Sequence, residues 1–75
     1  MVTLLRGANW RMSLYGREHG APHFHLEGPG WRCSVLIDSL EVIVGRAPKA
    51  DLAMAIAWAE PRRSELLMLW RELNP

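Results

Sequence analysis

The spacing of apolar residues changes once along this chain, at "GRAP" (Gly45 to Pro48), and that change restricts the possible folds more than any other feature. Upstream of it the pattern has period two. "WRMSLY" sets Trp10, Met12 and Leu14 against Arg11, Ser13 and Tyr15, and "HFHLE" sets Phe24 and Leu26 against His23, His25 and Glu27. Alternation of this kind belongs to strands with one buried face. "WRCSVLID" continues it with Trp31, Cys33, Val35 and Ile37 as its core face, and "EVIVG" is a short β-branched run ending at a glycine. The linkers "GREHGAP", "GPG" and "SL" carry the glycine and proline of hairpin turns. Four strands are therefore predicted, at about 10–15, 22–27, 31–38 and 41–45, in an antiparallel meander.

Downstream the period becomes helical. Pro48 suits a first helical turn, Asp51 suits its positive end, and "ADLAMAIAWAE" is rich in strong helix formers, so a helix is predicted over about 48–59. Pro61 would clash inside a straight helix and is expected to open a second one over about 61–73. There Leu66, Leu69, Trp70 and Leu73 fall at i, i+3, i+4 and i+7, a core-facing stripe flanked by Leu67 and Met68, which either widen it or stay exposed for a partner. A sheet with one apolar face needs a cover, and only these helices are long enough to supply it. The expected fold is α+β in two layers, a single domain over residues 1–75.

Seventy-five residues build a small core of thin stability, which leaves room for a protein partner or a homo-oligomer. The formal charge of +1 argues against a bulk electrostatic nucleic-acid binder. Eight of the nine basic residues are arginine, however, a bias that fits an RNA or acidic-protein partner as well as a coding bias. The lone Cys33 excludes an internal disulfide, and on the core face it reads as an inert buried thiol. No run approaches the roughly 18 apolar residues of a membrane span, and the N-terminus lacks the order of a signal peptide, so a cytoplasmic protein without membrane contact is expected.

The polar sheet face should carry Arg11, Ser13, Tyr15, His23, His25, Glu27, Arg32 and Ser34. Strands sharing a buried face must pair with matching parity, and one such register sets Met12 opposite Leu26 and Leu14 opposite Phe24. Arg11 then faces Glu27, Ser13 faces His25 and Tyr15 faces His23, while Arg32 falls beside His25 across "GPG".

"REHGAPHFHLEG" (Arg17 to Gly28) concentrates all three histidines of the chain. His23 and His25 project from one strand face with their roots about 7 Å apart, and His19 can fold back from the preceding turn. One reading is metal-independent RNA cleavage without a cofactor. His19, His23 and His25 then supply the acid and base, Arg17, Arg32 and Arg11 hold phosphate, and Glu18, Tyr15 and Glu27 support them. Imidazole suits that work because its ordinary pKa of about 6.5 makes both forms available near neutrality. A second reading is a metal site built from the histidines and Glu18 or Glu27, although H-x3-H-x-H is not a strong metal signature. In a third reading the histidines are structural, bonding Tyr15 and Ser13 and bracing the turn.

The run "EHGAPHFHLE", with "GRAP", "WAE" and "ELLMLWREL" after it, resembles a small bacterial family known as domain of unknown function 4160, whose members read EHxPPHFHV before a meander and a helical end. The resemblance extends from about Leu4 to Leu73. It matches the motif at Glu18, His19, Pro22, His23, Phe24 and His25 and the tail at Trp58, Glu65, Leu66 and Trp70. It departs at Ala21, where a proline is common, and at Pro61. The resemblance implies a toxin-like protein, encoded beside a second small protein that acts as its antitoxin. It implies no particular cellular target.

Overall fold

The computed structural model describes residues 1–75. Five strands, β1 (Val2–Arg6), β2 (Arg11–Leu14), β3 (His23–Gly28), β4 (Trp31–Leu36) and β5 (Val42–Arg46), form one antiparallel sheet in chain order. Two helices follow, α1 (Lys49–Ala59) and α2 (Arg63–Leu73), joined by a single 3-10 turn over Glu60–Arg62. The architecture is the expected α+β meander with C-terminal helices, corrected from four strands to five. β1 escapes a period-two reading because it is bulged. Thr3 pairs with Ser13 and Leu5 with Met12, so Leu4 is an extra residue that breaks the alternation.

The β2–β3 register follows the parity argument, with Arg11 opposite Glu27, Met12 opposite Leu26 and Ser13 opposite His25. The β3–β4 register does not place Arg32 beside His25. Gly28 pairs with Trp31, so Pro29 and Gly30 alone make the turn. Proline followed by a glycine at φ 74 is the type II arrangement. This tight turn moves Arg32 opposite Glu27 and brings Ser34 opposite His25. On the far side of β4, Gly45 has φ 76, and a β-carbon there would lie 2.2 Å from the carbonyl oxygen of Arg32, so only glycine fits.

Met12, Leu14, Phe24, Leu26, Val35, Ile37 and Leu66 are almost fully buried in one cluster with Trp10, Cys33, Ala55, Ala59 and Trp70. Burial of each large apolar side chain contributes roughly 1.5–3 kcal/mol. Leu69 and Leu73 pack against this cluster beside Leu66 and Trp70, as the α2 stripe requires, and Leu67 joins them while Met68 stays exposed. Trp31 sits at the rim, half-buried. Pro61 interrupts the helical ladder without reversing the chain, and Arg62 braces the junction by stacking on Trp58 and donating to its carbonyl at 2.7 Å. No helix is long and apolar enough to cross a membrane.

Candidate functional site

The polar face of β3 is not an open, wetted surface. Ser13 is fully buried and His23 is only 8% exposed, with Glu18 from the segment between β2 and β3 and Trp70 from α2 lying against His23. Arg17 at φ 59 and Gly20 at φ 83 take left-handed conformations that turn the chain there, and Glu18, between them, returns its carboxylate to the β3 histidines. The end of α2 fixes this segment. The Glu18 amide donates to Asn74 Oδ1 at 2.6 Å, while Asn74 Nδ2 donates to the carbonyls of Tyr15 and Trp70 at 3.0 and 2.9 Å.

Glu18 Oε1 lies 2.5 Å from His25 Nε2 and 3.3 Å from His23 Nε2. His23 Nδ1 is 2.9 Å from the carbonyl oxygen of Ala21. A carbonyl can only accept, so Nδ1 carries the proton and donates. On its other side His25 Nδ1 is 3.4 Å from Ser34 Oγ. The two imidazoles meet edge to face with centroids 5.0 Å apart; Tyr15 lies edge-on to His25 at 4.7 Å and Trp70 of α2 lies 6.2 Å from His23. His23 therefore sits where the polar site meets the apolar core, and His25 is the imidazole that reaches outward. One ligand atom each from Glu18, His23 and His25 lies within 4.8 Å of the others, so these three side chains are the ones able to hold a metal.

A second cluster adjoins the first. The Tyr15 hydroxyl donates to the Glu27 carboxylate, and Arg11 Nη2 stands 3.7 Å from the same carboxylate. The hydrogen bond to Glu27, reinforced by burial and by the carboxylate charge, raises the Tyr15 pKa above its ordinary value, with Arg11 opposing. Both clusters open into one pocket lined in part by Tyr15, Glu18, His25, Glu27, Arg32 and Ser34. Acid, base and cation types thus converge at one opening. Cys33 contributes no nucleophile, since burial pushes its thiol pKa up.

Of the residues predicted for the site, His23, His25, Glu18, Tyr15, Glu27, Arg11 and Arg32 are gathered here. His19 and Arg17 are exposed; His19 lies outside the set of possible metal ligands. Tyr15 turns to Glu27 rather than to His23, because β2 ends at Leu14 and frees it from the strand register. Ser34, not Ser13, bonds His25, as the shifted β3–β4 register dictates. Asn74 escapes sequence reasoning altogether: a lone polar residue after a helix looks like a terminal cap, which it also is through its bond to Trp70.

The family described as Domain of unknown function (DUF4160) matches this chain over residues 9–71. No curated protein and no solved structure matches it.

Proposed function

We propose, from the premise that the chain belongs to the DUF4160 family, that it is the toxin-like component of a bacterial two-protein module and acts on RNA in the cytoplasm through its polar pocket. The observation that carries this reading is the meeting of the His25 imidazole and the Glu18 carboxylate at an opening that also holds Arg32 and Tyr15. An imidazole oriented by a carboxylate is a general base in waiting, and a guanidinium is the side chain best suited to grip a phosphate. In the proposed step His25 takes the proton of a 2′-hydroxyl, and that oxygen attacks the adjacent phosphorus. The bond to the 5′-oxygen breaks, and this leaving oxygen takes a proton from a water in the pocket, while Tyr15 keeps its own proton in the bond to Glu27. Arg32 holds the phosphate oxygens, and His23 acts behind Glu18 as a positioning residue.

The partner in this reading is a small antitoxin-like protein that closes the pocket. The test is induction of the chain alone in a bacterium, with and without His25→Ala. Growth arrest, RNA fragments ending in 2′,3′-cyclic phosphate, and a loss of cleavage of about 100-fold or more in the variant are expected. A second reading, a non-catalytic binding module or antitoxin with structural histidines, is favoured by the burial of His23 and by the exposed apolar residues Val42, Ile43, Val44 and Met54. Arrest that survives His25→Ala, or healthy cells, would select it.

A further inference from the structure

The geometry points to a divalent metal site, zinc by preference, formed by Glu18 Oε1, His23 Nε2 and His25 Nε2, with its fourth position open to the pocket that holds Tyr15 and Arg32. The inference goes beyond the RNA reading and does not depend on it.

The argument begins with protons. His23 Nδ1 gives its hydrogen to the Ala21 carbonyl, so in the neutral ring Nε2 bears a lone pair. Glu18 Oε1, also an acceptor, lies 3.3 Å from that nitrogen. Two acceptors this close repel one another unless a positive species, either a further proton or a metal ion, lies beside both. The backbone carbonyl behind His23 is also the partner that metal-bound imidazoles commonly have, since it fixes the tautomer and aims the free nitrogen. His25 can do the same by donating from Nδ1 toward Ser34 Oγ at 3.4 Å.

The spacing agrees with this. A tetrahedral ion with bonds of about 2.0–2.1 Å to nitrogen and oxygen separates neighbouring ligand atoms by about 3.3–3.4 Å. The His23–Glu18 distance of 3.3 Å already has that value; the His25–Glu18 pair at 2.5 Å must open by about 0.8 Å, and the two histidine ligand atoms, within 4.8 Å of each other, must close by up to about 1.4 Å, both by side-chain rotation. Two imidazoles and one carboxylate with a position left open are a ligand set used by catalytic zinc. The site is also shielded, with the Glu18 backbone tied to Asn74 and the Trp70 indole beside His23.

The test is titration of the untagged, chelator-stripped chain with zinc, and with cobalt(II) as a spectroscopic substitute, in the absence of RNA. One ion per chain and the intense visible absorption of four-coordinate cobalt are expected. Glu18→Gln and His25→Ala should each weaken binding about tenfold or more, while His19→Ala should leave it unchanged. Both weakened variants act at partly exposed side chains, so circular dichroism is expected to report an intact fold. His23→Ala, more exposed to misfolding, is a supplementary variant. Failure to bind either ion saturably, undiminished binding in folded Glu18→Gln and His25→Ala, or loss of binding in His19→Ala would each overturn the assignment. A chain that binds zinc but cleaves no RNA sustains this inference and removes the RNA reading; one that cleaves RNA without binding metal does the reverse.

Discussion

Two carboxylates on the same sheet face organise their surroundings in different ways. Glu27 lies within β3 and takes Arg11 from directly across the β2–β3 ladder and Tyr15 from beyond the far end of β2, where the register no longer holds it. Glu18 lies in a connecting segment and reaches His23 and His25 only because Asn74, 56 positions away, holds its backbone. The Arg11–Glu27 half of the first cluster is a product of strand register, and Tyr15 joins it from just outside the strand. The second is a product of tertiary closure, and it should be the more fragile of the two.

The sharpest way to break that contrast is Asn74→Ala. It removes three hydrogen bonds and leaves the Glu18 amide without its partner, at an expected cost of about 1–3 kcal/mol in urea unfolding. It should also loosen the His25–Glu18 contact, read as changed imidazole proton shifts by NMR, while the Tyr15–Glu27 pair persists. Equal disturbance of both clusters would show that they are one unit. Tyr15→Phe attacks the Glu27 cluster instead, and a loss of about 1 kcal/mol is expected for its charge-assisted bond.

The same residue gives a pH signature. The raised Tyr15 pKa means that the folded chain holds the phenolic proton more tightly than the unfolded one, so this contribution is complete below the ordinary value of 10.0 and is lost as pH rises through the higher folded value. Stability of the unsubstituted chain should therefore fall more steeply between pH 10.0 and that folded value than that of Tyr15→Phe, as followed by thermal melts. Arg11→Ala comes next. Its ion pair with Glu27 is 3.7 Å long between side chains that are 39% and 31% exposed, so a loss below about 1 kcal/mol, shrinking with added salt, is expected. The smallest effect is expected from Ser34→Ala, about 0.5 kcal/mol, since its contact to His25 is 3.4 Å. A larger loss there would indicate that Ser34 fixes the His25 tautomer.

These two clusters also mark what could be read from the sequence. The core faces of β2, β3 and β4, the α2 stripe and the Arg11–Glu27 and Ser13–His25 pairs follow from periodicity and parity, which are local rules acting on regular strands. Reading stopped wherever a residue left that regularity. Leu4 at its bulge hid β1, the type II turn at Pro29 and Gly30 moved Arg32 by two positions, and Tyr15 beyond the end of β2 turned to an unexpected partner. Glu18 was legible as a chemically suitable neighbour of the histidines but not as their common partner, because the residue that places it lies at the other end of the chain. His19, in the same motif, follows no strand rule and stays outside.

The Asn74 clasp has a consequence for the birth of the molecule. The strand ladder needs nothing from α2, whereas the Glu18 amide and the Tyr15 carbonyl find their Asn74 partner only once the last residues of the chain are free to dock. The histidine centre therefore gains its last restraints late in the birth of the molecule.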